Sequence, residues 1–233
     1  MSAGIAVIVC ARDEAERLPA TLAALAAAFA GARVLVADDG SRDGTAALAR
    51  AAGAEVVSAP RRLGKGGAAT LAARRLGAAD VVVLCDGDLG QSAAHLARLA
   101  DAVRSGGADL ALGAFERRAG GGFGLALRFA GWAVRRRCGV VLDAPISGQR
   151  ALSQAALEAA LPFAPRFGME IGMTIDVARA GLRVREYPLP LAHRATGRSV
   201  RGFLHRGRQL ADFVAVWVSR RPGRRRSRRR AAA

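Results

Sequence analysis

Two carboxylates stand one residue apart in ADVVVLCDGDLGQ, where Asp86 and Asp88 flank Gly87 at the end of an apolar run. Like charges that close repel unless a positive group lies between them or water screens them. As an isolated tripeptide, Asp-Gly-Asp is most often a turn. After a buried strand and before a helix it becomes a candidate metal site, because two carboxylates together with a diphosphate suit Mg2+ or Mn2+. A second acidic pair, Asp38 and Asp39, opens DDGSRDGT. Gly40 permits a sharp turn there and Asp43 can cap a helix beginning near Thr45. Two adjacent acids exceed what a turn requires, and a carboxylate in that place can accept hydrogen bonds from a nucleobase imide or a ribose hydroxyl. Lys65 lies in RRLGKGG, where glycines allow close backbone approach and free amides can face an anion. It is the only lysine among 36 Lys and Arg residues, so a compact ammonium at this point reads as selected.

The elements that must position these groups are legible as apolar runs. Strands are expected at Ile5–Val9, Arg33–Ala37, Glu55–Ser58, Asp80–Cys85 and Asp109–Gly113, with helical patterns near 15–30, 44–52, 66–77 and 92–105. Such alternation predicts an α/β fold, a mostly parallel sheet with helices on both faces. In such sheets the ligand binds at the carboxyl ends of the strands. ARDE, DDGSRDGT, RRLGKGG and CDGDLG follow the first four strands in turn, so every polar cluster of the first half falls at that edge. The second half is less regular. Residues 119–139 mix glycine, bulky apolar residues and arginine, which suggests a mobile amphipathic segment. A helix around Glu170–Ala180, a strand in RVREYPLPL and a final helix through Trp217 follow.

VIVCARDEAERLPATLAAL, VLVADDGSRDGTAALA, GKGGA and VVVLCDGDLG together resemble the family-2 glycosyltransferases of GT-A fold, in order and spacing, over residues 4 to 115. DAPISGQRAL, FGMEIGMTIDVARAGLRVREYPL and HRATGRS are similar to the second half of the polyprenyl-phosphate sugar transferases, and in layout to glucosyl-3-phosphoglycerate synthases. The resemblance implies one domain over 1–218, with a nucleotide-sugar half to about 115 and an acceptor half after it. It implies that Ala11, Arg12 and Glu14 line the nucleotide, that Asp39 supported by Asp38 contacts the base, and that Lys65 lies near the donor phosphates or sugar. Asp86 and Asp88 would hold the metal and diphosphate, with Gln91 facing the same site. The family usually carries proline where Cys10 stands, an aromatic or apolar residue at Arg12 and asparagine at Asp13, so base preference is not carried over.

For the second half, Glu170 reads either as a helix-start acid favoured by the dipole or, by the resemblance, as a residue facing the acceptor or donor sugar. His193 reads as structural or as the additional metal ligand that glycerate-type relatives use near this place. Arg194, with Arg198 and Arg201, can neutralise phosphate by fork-like contacts. His95 and His205 read as surface residues. The implied reaction is inverting sugar transfer from a nucleoside-diphosphate sugar, with Asp88 at the catalytic metal. A lipid-phosphate acceptor is already ionised and needs no base, whereas a hydroxyl of a small phosphorylated acceptor would call on Glu170 or Asp143.

Composition bounds the rest. At 233 residues and 52% apolar content the chain folds around a real core. Cys10, Cys85 and Cys138 have no paired spacing and suggest reduced thiols. The first apolar run is too short for a signal peptide, so a cytoplasmic location is expected. Residues 220–230 hold eight of the arginines behind the net charge of +17 and no acid, which predicts a disordered tail over 219–233. With the amphipathic 119–139 stretch, that tail would favour the anionic inner face of a membrane. Arginine-driven nucleic-acid binding is the competing class, but aromatic residues are 5% and do not interleave with basic ones as stacking platforms would, so no specific nucleic acid is expected. Nucleotidyl transfer would want a glycine-rich, basic first loop, and CARDEAERL is neither.

Overall fold

The computed structural model describes residues 4–115, 124–191 and 200–220. Seven strands form one sheet in the order β3-β2-β1-β4-β6-β5-β7. They are β1 (Ile5–Ala11), β2 (Arg33–Asp38), β3 (Glu55–Ser58), β4 (Val81–Asp86), β5 (Leu110–Phe115), β6 (Arg150–Ser153) and β7 (Val184–Leu189). The helices are α1 (Leu18–Ala28), α2 (Thr45–Ala51), α3 (Lys65–Leu76), α4 (Ala97–Arg104), α5 (Gly124–Cys138), α6 (Gln154–Ala160), α7 (Met169–Arg179) and α8 (Val200–Ser219). The expected strands and first four helices are all present within a few residues. The pattern near 92–105 divides into a 3-10 stretch, Gly90–Leu96, and α4.

β1 and β4 are buried almost end to end because helices cover both faces, which is why they read as unbroken apolar runs. One face, including Ile8, Leu35, Val82, Leu84 and Leu112, packs against α3, α6 and α7. The other, including Val7, Val9, Val36 and Val83, packs against α1, α2 and α4. A third, smaller cluster joins α5, α7 and α8 through Ala130, Val134, Ile171, Ile175 and Phe213.

Register brings the polar loops together. Ala11 lies beside Asp38, Cys10 beside Asp86, and Asp38 beside Ser58, so the four parallel strands end level. The sheet is mixed, since β6 runs antiparallel between β4 and β5. β6 was not legible in the sequence: it is four residues, carries a buried arginine and runs straight into α6.

Two expectations are corrected. The part of the expected mobile segment that is described, residues 124–138, forms a helix packed on α7 and α8 through Ala126, Ala130 and Val134. The folded unit also passes the expected tail boundary at 219, because the Arg220 guanidinium pairs with Asp176 on α7, with Nε 2.8 Å from both carboxylate oxygens. Residues 221–233 lie outside the described residues.

Close packing of α3 on the segment before α7 depends on glycine. A Cβ on Gly66 would overlap the carbonyl oxygen of Ala164, whereas a Cβ on Gly131 of α5 would meet nothing within 4 Å. Gly66→Ala is therefore expected to destabilise by about 2–3 kcal/mol, lowering the melting temperature by roughly 5–10 °C. Gly131→Ala should be neutral or gain about 0.5–1 kcal/mol from helix propensity. Equal melting temperatures for the two variants would show that the Ala164 backbone yields freely.

Candidate active site

The site begins where β2 ends. Asp38 is buried and its Oδ1 accepts the Ser41 N–H at 3.0 Å, closing the turn at Gly40. The Asp39 N–H donates to the Ala11 carbonyl, tying β2 to β1. Asp39 Oδ1 accepts from the Leu63 N–H at 2.6 Å and the Gly64 N–H at 2.9 Å. This acid thus holds the loop that delivers α3. Its two oxygens are directed at the protein's own backbone, so its geometry here is that of a loop anchor. Gly64 sits at φ 78°, a conformation that disfavours side chains, and a Cβ there would lie 2.8 Å from the Arg166 Cα.

The first loop is stitched to the second. Asp13, itself at φ 54°, accepts the Arg42 N–H at 2.8 Å, while its own N–H donates to Ser41 Oγ. The Glu14 N–H donates to Thr45 Oγ1 and the Ala15 N–H to Asp43 Oδ2. Hydrogen bonds from the Thr45 hydroxyl and N–H keep the Asp43 carboxyl below its usual range. Arg12 lies 3.5 Å from Asp13, and its Nε is buried without a hydrogen-bond partner.

Lys65, the first residue of α3, points to the end of β4. Its Nζ lies 2.6 Å from Asp86 Oδ1 and 2.8 Å from Glu170 Oε1 in the first turn of α7. The positive charge beside Asp86 is therefore an ammonium supplied by the chain. Burial alone would lower the Lys65 pKa, but Asp86 and Glu170 more than reverse this and hold it well above its ordinary value. Stability from this cluster is thus complete below the ordinary lysine pKa and lost only above the raised one, so Lys65 stays charged throughout the neutral range.

Gln149 completes the cluster, and the sequence reading missed it. It is 2% exposed, donates through Nε2 to Asp86 Oδ2 at 2.7 Å, and accepts the Asp86 N–H on Oε1 at 3.1 Å. The preceding Gly148 leaves room for this, because a Cβ there would overlap Lys65 Nζ and lie 2.6 Å from Asp86 Oδ2. Gln149 lies in DAPISGQRAL, a run that carries part of the family resemblance and in which no role was assigned to it. Arg150, also missed, is 1% exposed and donates to the Ser147 carbonyl, Thr174 Oγ1 and the Pro145 carbonyl. Burial lowers its pKa to about 10, an effect that Glu170 and Glu186 oppose.

The Asp-Gly-Asp turn is fixed from both sides. The Gly87 N–H donates to the Cys10 carbonyl at 2.9 Å, and Thr21 Oγ1 donates to the Gly87 carbonyl at 2.8 Å. Asp88 is half-buried and Gln91 exposed. Asp143 is exposed on the loop before β6, with its N–H on Glu186 Oε2 at 2.7 Å. His193 and Arg194 lie outside the described residues. Cys10 is buried and its thiol pushed up to about 12 by that burial, which removes it as a nucleophile.

Among the described residues no group of three His, Cys, Asp or Glu is placed to hold a metal. Asp86 and Asp88 offer hard oxygens on a rigid turn, a donor set that fits a cation arriving with phosphate oxygens and water. The arrangement can therefore fix an anionic ligand over a turn while Glu170 lines the far side.

Removing the ammonium tests its structural share. Lys65→Met leaves Asp86 and Glu170 facing each other and, the cluster being partly exposed, is expected to cost about 1–3 kcal/mol. Lys65→Met/Glu170→Gln should recover part of this in thermal unfolding at neutral pH. A single variant that melts with the wild type would mean the cluster contributes nothing to the fold.

The comparisons with known proteins agree with this geometry. The sequence profile described as Glycosyl transferase family 2 matches residues 6–138. An undecaprenyl-phosphate mannosyltransferase of Micrococcus luteus is 33% identical over 214 residues, 84% of this chain and 86% of that protein. A glucosyl-3-phosphoglycerate synthase of Mycolicibacterium paratuberculosis is 32% identical, covering 91% of this chain and 68% of that protein. The crystal structure of the Mycobacterium tuberculosis glucosyl-3-phosphoglycerate synthase with Mn2+, uridine diphosphate and glucosyl-3-phosphoglycerate superposes with a TM-score of 0.78 at 30% identity, over 93% of this chain and 79% of that one. The same enzyme is also known with Mn2+, UDP-glucose and phosphoglyceric acid, at TM-score 0.76 and 29% identity over the same shares of the two chains. With a matching sheet, matching motifs at its strand ends and relatives a third identical over most of their length, this chain belongs to glycosyl transferase family 2 and is a glycosyltransferase of GT-A fold.

Proposed function

We propose that the enzyme moves a sugar, with inversion, from a nucleoside-diphosphate sugar to a polyprenyl phosphate. The observation that carries this reading is the Lys65–Asp86–Glu170 cluster beside the Asp-Gly-Asp turn, at the level ends of four parallel strands. The loops pinned by Asp38, Asp39 and Asp13 form the nucleotide side of the cleft, with Ala11, Arg12 and Glu14 along it. Asp88, with Asp86, would hold a divalent cation, Mg2+ or Mn2+, which would neutralise charge on the leaving diphosphate. Lys65 offers a fixed ammonium to the same developing charge at no cost in reorganisation. Gln149 keeps the Asp86 carboxylate in one orientation, and Glu170 holds Lys65 from the acceptor side.

A lipid phosphate brings its own ionised oxygen, so the chain need only align it. Arg194, beside His193, is the proposed phosphate contact. The second reading is a small phosphorylated acceptor such as a phosphoglycerate. It is favoured by the structural neighbours, whose complexes hold phosphoglyceric acid, and it would give Glu170 or Asp143 the work of a base. The neighbours' complexes with uridine diphosphate and UDP-glucose favour a uridine nucleotide. We place the enzyme on the cytoplasmic side of a membrane, as a peripheral protein.

A thermal-shift screen of UDP- and GDP-sugars with and without Mn2+ should show one that raises the melting temperature, more so with the metal. Complete absence of binding by folded protein would sink the reading. Asp88→Asn should keep the fold and lose metal-dependent turnover, and wild-type rates in that variant would remove Asp88 from the metal.

Gln149→Leu should lower kcat roughly 10–100-fold, the usual loss when a group orienting a ligating carboxylate is removed. The stranded Asp86 N–H should also cost about 1–3 kcal/mol, so turnover is read well below the variant's melting temperature. Unchanged turnover in steady-state assays would show that Asp86 needs no such support.

A further inference from the structure

We propose that the outer face of α5 and α8 is a docking surface for an anionic lipid bilayer. α5 is packed with its small residues inward. Ala126, Ala130 and Ala133 are buried, while Leu125 is 80% and Trp132 49% exposed on the opposite side. Arg128, Arg135 and Arg136 share that outer side, and no acid occurs between Glu116 and Asp143. A helix that only needed to pack would turn these faces round.

The surface is continuous across two helices. Trp132 meets Phe129 at 5.6 Å and Trp217 of α8 at 5.1 Å between ring centroids, with the rings tilted by 40° and 36°. Arg137 lies 3.9 Å over the Trp217 ring and donates to its carbonyl at 2.7 and 3.0 Å, which locks the two helices together. Val214 and Val218 continue the exposed apolar surface on α8. A plane of Trp, Leu and Val edged by arginines matches the bilayer interface, where rings and aliphatic groups enter the headgroup layer and guanidinium groups meet anionic lipid. A second copy of the chain is disfavoured, because pairing two such faces would set arginine against arginine with no acid of α5 to offset them. No helix among the described residues is long and apolar enough to cross a membrane, so this face would lie on it.

The face stands one layer from the cleft. Behind it, Val216 packs so closely on Gly168 that a Cβ there would overlap its Cγ2. Gly168 belongs to the turn whose Arg166 abuts Gly64 and which leads directly into Glu170. Seven further arginines follow in residues 221–230, immediately after α8. The inference deepens the lipid-phosphate reading and gives that acceptor a route to the cleft.

Vesicle flotation with the full chain tests it, comparing phosphatidylcholine with phosphatidylcholine containing 30% phosphatidylglycerol. The wild type should float with the anionic vesicles only. Leu125→Glu and, separately, Arg135→Glu/Arg136→Glu should each lower the bound fraction at least 10-fold with unchanged melting temperature. Transfer to a water-soluble short-chain prenyl phosphate should stay at the wild-type rate in both variants. Vesicle binding equal to wild type in both, or binding abolished wholly by removing residues 221–233, would overturn the proposal. So would a dimer in sedimentation equilibrium that Leu125→Glu converts to monomer. Failure of every prenyl phosphate as acceptor, with flotation as expected, would instead overturn the acceptor reading and leave the surface standing.

Discussion

One ammonium group organises the cleft. Lys65 ties the start of α3 to the end of β4 and to the first turn of α7, so three elements distant in sequence meet at a single charge. The interaction is only as good as its clearances. Gly64 and Gly66 let α3 approach the segment before α7, and Gly148 lets the ammonium reach Asp86. Charge pairing at a partly buried site is unforgiving of geometry, because each group has given up water for its partner. That explains why glycines surround the cluster more densely than the turns require.

Around this centre the polar side chains fall into two kinds. Asp38, Asp39, Asp13 and Asp43 spend their oxygens on backbone N–H groups and hold loops. Asp86, Glu170 and Lys65 face one another at the ends of separate elements. The acids of the first kind give the cleft its shape. Their hydrogen bonds also keep the loops in place before anything binds, which reduces the ordering cost of recognition.

The first half of the fold was legible because buried parallel strands leave an apolar run and their loops leave a polar one. The level ends of β1 to β4 follow from register, and the four polar clusters pointed to it. Other features had no such signature. In β6, Arg150 stands where an apolar residue would be expected, and its burial is understandable only once Ser147, Thr174 and Pro145 are seen around it. Periodicity identified α5 as amphipathic but could not say which face turns inward, since alanine packs as readily as it is exposed. The ammonium beside Asp86 was not foreseen, because sequence separation hides that residue 65 lies within reach of residue 86 and residue 170. Gln149 lies within DAPISGQRAL, but nothing in that run singles it out. Its importance comes from a two-point hold on Asp86 that exists only in three dimensions.

The placement of β6 also bears on how the chain comes to be folded as it is made. β5 touches only β6 and β7 in the sheet, and both are synthesised after it. Strands β1 to β4 can assemble as soon as they emerge, whereas the apolar β5 must wait for at least 38 further residues, from Phe115 to Ser153, before it gains a neighbour. Waiting strands of this kind expose unpaired edges on the ribosome. Completion of the sheet therefore rests on the second half of the chain, since β5 has no partner until β6 follows it.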